Sequence, residues 1–125
     1  MSHVSMIDST QTTADRAAVL AQIQQAFGTV PNMFRAVANS PAALRSMWGS
    51  FGALGGGTLS AKLGEQIAVA VADRNQCEYC LSAHTVLGRK AGATAEEMTA
   101  AQAGHAADPK TDAALRFALK LVEQR

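Results

Sequence analysis

Apolar residues recur along this chain mostly at helical spacing, and strand-like alternation of apolar and polar positions is weak throughout. Helix boundary signals are frequent. Ser40-Pro41 and Asp108-Pro109 each place a capping side chain before a proline at the first helical position, and Gly28 follows an apolar stretch. These signals predict helices over about 14–27, 31–37, 41–54, 61–74 and 77–91, one after a capping box at Thr94 and Glu97, and a last one from about 109.

The composition agrees with an all-α protein. Ala fills 26 of the 125 positions, hydrophobic residues make up 48% and aromatic residues only 5%. Because Ala is the best helix former, we predict an all-α bundle of about six or seven helices. We expect a single domain over residues 14–125, preceded by a flexible lead-in over residues 1–13. A small domain with few large side chains buries limited apolar area alone, which favours an oligomer.

Charge and hydropathy exclude several function classes. The net charge is +1, and Lys and Arg are scattered, without the basic run that indicates nucleic-acid binding. No apolar run approaches the roughly 20 residues that a membrane helix needs. The polar N-terminus also lacks the apolar region of a signal peptide. We therefore expect a cytoplasmic protein that binds neither nucleic acid nor a membrane.

The candidate chemistry lies in the fifth predicted helix. Cys77, Cys80 and His84 stand at positions i, i+3 and i+7, which share one helical face. Residues three apart on a helix have Cα atoms roughly 5 Å apart, within the range of a disulfide. Because helical side chains lean toward the N-terminus, His84 should tilt back over Cys80. Cys77 is near the helix start, where the backbone dipole stabilises a thiolate.

Glu65 lies on the preceding predicted helix, which is apolar nearly all round and should be central. A carboxylate there is either desolvated, which favours its protonated form, or paired with another group. A proton held near neutral pH suits a proton carrier. The alternative is that Glu65 is a surface residue near the helix start, where the dipole favours a negative charge.

The cysteines have four alternative roles. A disulfide that closes a four-residue loop contributes only about 2 kcal/mol in the chain-entropy model, which weighs against a purely structural role. Two Cys, one His and one Glu also match the ligand chemistry of zinc, although the helix supplies no second Cys or His pair. A thioredoxin-like oxidoreductase needs strands, which are missing. A non-enzymatic redox sensor or scaffold would carry the same thiols.

The remaining candidates have weaker signals. His3 lies in the lead-in and His105 in a predicted loop, and both are expected to be solvated. Tyr79 points off the thiol stripe and could pack or donate its hydroxyl. Three large side chains are expected to pack in the core or at an interface, or alternatively to line a substrate pocket: Met47, Trp48 and Phe51.

The string Glu65-x11-Cys77-x-Tyr79-Cys80-x3-His84 resembles the signature of the alkylhydroperoxidase D-like (AhpD-like) group in the carboxymuconolactone decarboxylase superfamily. The stretch from Val30 to Phe34 and the Ser40-Pro41 pair resemble the upstream part of peroxidase-related members, so the resemblance spans about residues 28–124. It implies an all-α fold, usually assembled as a trimer or hexamer. Decarboxylase members generally lack the paired cysteines, which makes that activity a weaker expectation.

The activity that the resemblance implies is thiol-dependent reduction of hydroperoxides. Cys80 would be the peroxidatic cysteine and Cys77 the resolving one, while His84 and Glu65 would relay protons. The oxidised form would be a Cys77–Cys80 disulfide, recycled by a dithiol donor such as a lipoylated protein, with no cofactor and no metal. Such members commonly continue for more helices after the position of Arg125, so we expect either a fragment or a C-terminally short variant that packs against neighbouring chains.

Overall fold

A computed structural model describes residues 3–124, so Met1 and Ser2 of the predicted lead-in and the last residue, Arg125, lie outside the described residues. Within that range the fold is all-helical, with seven α-helices and no strand, which confirms the predicted fold class. The helices are α1 (Ala14–Phe27), α2 (Asn32–Val37), α3 (Pro41–Gly55), α4 (Ala61–Arg74), α5 (Glu78–Lys90), α6 (Ala95–Gln102) and α7 (Pro109–Glu123). No helix of the described residues is long and apolar enough to cross a membrane.

Local capping explains most helix starts. The side chains of Ser40, Ser60, Thr94 and Asp108 each accept a hydrogen bond from a backbone N–H in the first turn of the helix that follows. The capping box that the sequence predicts at the start of α6 is present, with both of its reciprocal hydrogen bonds.

Four predicted boundaries differ slightly. Pro31 and Cys77 are N-cap residues rather than the first helical residues of α2 and α5. Helix α3 runs one residue further than predicted, through Gly55, and α5 ends one residue earlier than predicted, at Lys90. The end of a helix is set by which carbonyls find partners, which periodicity alone does not fix.

The chain forms two compact units, residues 1–56 and residues 57–125. The first unit contains α1, α2 and α3 around a core of Leu20, Ile23, Phe34, Ala38 and Leu44. Its N-terminal segment is tied to α2, because the Ile7 N–H donates to the Arg35 carbonyl at 3.1 Å. Val19, Phe27, Val37, Met47 and Trp48 are partly buried and pack against this core.

The second unit contains α4, α5, α6 and α7, and it carries the predicted redox segment. Helix α4 packs against each of the other three, which confirms the expectation that it is central. Its core includes Val69 and Ala70 of α4, Met98 of α6, and Leu115 and Leu119 of α7. A helix surrounded on several sides needs an apolar surface nearly all round, which is what the sequence of α4 provides.

Candidate active site

The turn between α4 and α5 places the first cysteine. Gln76 adopts a left-handed conformation, with φ of 53°, that reverses the chain after α4. The Cys77 N–H then donates to the Ala72 carbonyl at 3.0 Å, which fixes the start of α5 against the end of α4. Cys77 is therefore held by a hydrogen-bonded turn at the junction of two helices.

Cys77 is the N-cap of α5, and its sulfur has the role that a Ser or Asp oxygen usually has. Its Sγ atom accepts a hydrogen bond from the Cys80 backbone N–H at 3.3 Å. This N–H and the positive end of the helix dipole both favour negative charge on Cys77 when the thiol is free.

Cys77 and Cys80 are joined by a disulfide, with Cα atoms 5.3 Å apart. The spacing agrees with the roughly 5 Å that helical geometry predicts for residues three apart. Both residues are half-buried. No other cysteine exists in the sequence, so the pair can change between disulfide and dithiol without competing partners.

His84 and Glu65 form a close pair across the α4–α5 interface. His84 Nδ1 lies 2.7 Å from Glu65 Oε2, and the side chains are 35% and 24% exposed. The sequence left open whether the Glu65 carboxylate is desolvated or paired with another group, and the structure shows that it is paired. Because Nδ1 is engaged, Nε2 is the ring nitrogen left to exchange a proton with another group.

The imidazole stands one helical turn after the second cysteine. Cys80 and His84 are separated by four residues within α5, and such pairs have Cβ atoms roughly 5–6 Å apart on one face. The structure therefore shows two pairs, Cys77 with Cys80 and Glu65 with His84, and the four-residue spacing of Cys80 and His84 on α5 relates them.

Gly88 permits the close approach of α5 to α4, a role that is not evident from the sequence pattern alone. A Cβ atom at Gly88 would lie 3.3 Å from Glu65 Cβ and 2.4 Å from Met98 Cε. The absence of a side chain therefore lets α5 sit close to both α4 and α6, one turn beyond His84. The available signal was a glycine on the buried side of an amphipathic helix.

A pocket of about 590 Å³ lies beside the disulfide, and its lining residues were also not recognised from the sequence. It is lined by Cys77, by three neighbours from the helix junction, Ala72, Asp73 and Gln76, and by Glu78 and Leu81 of α5. Asp73 Oδ1 accepts a hydrogen bond from Gln102 Nε2 at 2.8 Å, which fixes its position. The carboxylates of Asp73 and Glu78 are the charged groups among these lining residues.

A larger cavity, of about 770 Å³, occupies the opposite end of α4 and contains neither cysteine nor histidine. It is lined by the first turns of α4, α6 and α7, where Lys62 Nζ lies 2.7 Å from Glu97 Oε1. The hydrogen bond from Lys62, followed by that from the Thr94 backbone, lowers the pKa of Glu97. These contacts stabilise helix starts and are separate from the redox pair.

The other sequence candidates with polar side chains are largely exposed. The His105 side chain is 69% exposed, 4.0 Å from an Asp112 oxygen, and His3 is exposed as well. Tyr79 is 68% exposed, so its ring does not pack within the described chain. Among residues 3–124 no group of three or more His, Cys, Asp or Glu side chains is placed to hold a metal ion.

Met47, Trp48 and Phe51 belong to the first unit, where they pack rather than line either pocket described above. Trp48 and Phe51 stack with ring centroids 6.4 Å apart and also contact Phe27 and Phe34. The Trp48 indole N–H donates to Gln22 Oε1 at 2.9 Å. This arrangement agrees with the packing interpretation of these residues.

Residues 41–124 match the carboxymuconolactone decarboxylase family, which includes AhpD-like proteins. No curated protein and no solved structure matches the chain. The family match covers more than half of the sequence and contains the whole Glu65-to-His84 segment. The chain therefore belongs to the carboxymuconolactone decarboxylase family.

Proposed function

We propose that this protein is a thiol-dependent hydroperoxide reductase. The observation that carries the proposal is the Cys77–Cys80 disulfide at the start of α5, one turn before an imidazole that a carboxylate holds at 2.7 Å. A reversible dithiol supplies two electrons, and an acid–base pair beside it supplies the proton that cleavage of a peroxide requires.

In the proposed cycle the Cys80 thiolate attacks the terminal peroxide oxygen. The O–O bond breaks, Cys80 becomes a sulfenic acid, and the second oxygen leaves as an alkoxide that takes up a proton to give the alcohol. The Cys77 thiol then condenses with the sulfenic acid, which forms the S–S bond and releases water. A dithiol donor reduces the disulfide, and both cysteines return to the thiol form.

His84 and Glu65 carry the protons of this cycle. The imidazole takes the Cys80 proton, which leaves the thiolate that attacks, and delivers a proton to the leaving alkoxide. Glu65 accepts the Nδ1 hydrogen bond, so it orients the ring and stabilises the imidazolium that forms between these two steps. The pair therefore acts as a relay rather than as a static salt bridge.

The proposal extends to the setting of the enzyme. We propose a homo-oligomer, a trimer or hexamer, in the cytoplasm, with a small hydroperoxide as substrate and a dithiol such as a lipoylated protein as electron donor. The competing functions are a redox sensor or scaffold, which forms the same disulfide without sustained turnover, and lactone decarboxylation, which needs no cysteine chemistry.

The test is peroxide consumption by the reduced protein, together with mass analysis. One equivalent of cumene hydroperoxide should remove two hydrogens at the Cys77–Cys80 pair, and dihydrolipoamide should restore them and sustain many turnovers. Cys80→Ser should abolish turnover, whereas Cys77→Ser should leave one sulfenic acid per chain. Glu65→Gln should slow the peroxide step about 100-fold, at the lower end of what an acid–base group contributes.

Other outcomes identify the competing functions. Disulfide formation that is stoichiometric but never repeats in excess dithiol indicates a sensor. No mass change with peroxide, or full turnover in both cysteine variants, contradicts the peroxidase proposal. His105→Gln is a control substitution, because His105 is exposed and remote from the cysteines in the sequence, and it should leave turnover unchanged.

A further inference from the structure

Only one of the two cysteines of the disulfide lines the pocket beside it. Cys77 lines the pocket, whereas Cys80 is not among its lining residues. A thiol that enters the pocket therefore meets the Cys77 side of the S–S bond. His84 and Glu65 are not among the lining residues either, so the pocket lies apart from the proposed proton relay.

Two carboxylates border this entrance. Asp73 is at the end of α4 and Glu78 is the first residue of α5, and both are exposed. The nearest cation in the sequence, Arg74, already pairs with Glu123, whose Oε1 lies 3.4 Å from the arginine Nε. The two charged side chains that line the entrance are therefore both negative.

We infer that this pocket is where the reducing thiol enters and attacks Cys77 Sγ, and that Asp73 and Glu78 select neutral or cationic thiols over anionic ones. The inference rests on the proposed function, because it names the substrate class of its reducing half-reaction. A neutral small-molecule dithiol would meet no repulsion here, whereas a thiol that carries a carboxylate would meet two like charges.

The exchange balances as two thiol–disulfide steps. A thiolate of the reductant bonds to Cys77 Sγ, the Cys77–Cys80 bond breaks, and its electron pair leaves on Cys80, which takes up a proton. The second thiol of the reductant then displaces Cys77 and closes the disulfide of the reductant. The Cys77 thiolate leaves readily, because the Cys80 N–H and the helix dipole stabilise it.

The strength of the preference between charged thiols can be estimated from surface electrostatics. Two charges about 8 Å away through water, at low ionic strength, change an encounter rate roughly two- to fivefold in total. Added salt should remove most of this effect, because the Debye length falls to about 3 Å at 1 M salt. A simple reactivity difference between thiols would be insensitive to salt.

The experiment measures reduction of the diamide-oxidised protein by three small monothiols, 2-mercaptoethanol, 3-mercaptopropionate and cysteamine, with rates expressed per thiolate. Cysteamine should be faster than 3-mercaptopropionate at low salt. Because the two thiols differ by two unit charges, the ratio of their rates should fall about four- to 25-fold in Asp73→Asn/Glu78→Gln. Asn at position 73 can still accept the Gln102 hydrogen bond. Acid quenching and alkylation should place the mixed disulfide on Cys77.

Glu96→Gln is the matched control for Glu78→Gln. Both glutamates lie in the first turn of a helix, but Glu96 lines the cavity at the other end of α4. That control should keep the wild-type ratio, and Glu78→Gln should lower it. A ratio unchanged in the double variant, or a mixed disulfide on Cys80, overturns the inference. Because no peroxide is present, failure of the peroxidase proposal would be seen separately.

Discussion

Replacing Gly88 by alanine should destabilise the chain, although alanine is the better helix former. At an open position in a helix this exchange stabilises by about 0.5–1 kcal/mol. At Gly88 the new Cβ would lie 2.4 Å from Met98 Cε and 2.6 Å from Met98 Sδ. Met98 is only 3% exposed, so its thioether would be pushed into packed core residues.

Overpacking of this kind costs about 1–3 kcal/mol, which exceeds the gain in helix propensity. We therefore expect the free energy of unfolding to fall by about 1–2 kcal/mol in Gly88→Ala. Gly64→Ala is the control, because nothing lies within 4 Å of a Cβ at that position of α4, and it should gain about 0.5–1 kcal/mol. Both glycines belong to residues 57–125, so both exchanges act on the same compact unit.

The assay is urea unfolding followed by circular dichroism, with the disulfide intact. Met98→Ala alone should cost about 2–5 kcal/mol, and in that background the added methyl group at position 88 should cost little or even stabilise. The double-mutant cycle should then give a coupling free energy of about 1 kcal/mol or more. If Gly88→Ala stabilised as much as Gly64→Ala, without coupling to Met98, the proposed close approach of α5 to α6 would be wrong.

Two further predictions concern helix ends in the same unit. Hydrogen bonds from the Thr111 backbone N–H and then its hydroxyl hold the pKa of Asp108 below its ordinary value of 3.8. Asp108 therefore stabilises the fold above that pH and loses this effect as the pH falls through the lower folded-state pKa. Asp108→Ala should lower the thermal midpoint at pH 7 and differ less from wild type as the pH falls below 3.8, and a pH-independent difference would contradict this. Gly104 has φ of 85°, and its Cβ would lie 2.7 Å from Leu119 Cδ1, so Gly104→Ala should cost about 2–4 kcal/mol in urea unfolding. Gly92 also has a positive φ, of 95°, but nothing lies within 4 Å of a Cβ added there. If Gly92→Ala lowered the free energy of unfolding as much as Gly104→Ala, the contribution assigned to the clash with Leu119 would be wrong.

Local chemistry allowed most helix boundaries to be predicted from the sequence. Ser60, Thr94 and Asp108 begin helices where expected, because a capping side chain satisfies backbone donors only a few residues away. The start of α5 was shifted by one residue. Its cap is Cys77, and a thiol is not among the residue types that usually signal this position.

The proximity of Cys77 to Cys80, and the position of His84 one turn later, follow from the sequence by itself, because helix geometry fixes distances between residues three or four apart. The tertiary structure decided that Glu65 reaches His84 across the interface of α4 and α5. That contact depends on how closely two helices pack, and the closeness is set by the missing side chain at Gly88.

The surroundings of the disulfide were likewise decided by tertiary structure. Asp73 borders the pocket beside Cys77 because the left-handed turn at Gln76 folds α5 back against α4. A single non-glycine residue at positive φ leaves little trace in a sequence pattern. The sequence by itself therefore determined the helices and the redox pair within one of them, whereas packing and one turn determined what surrounds that pair.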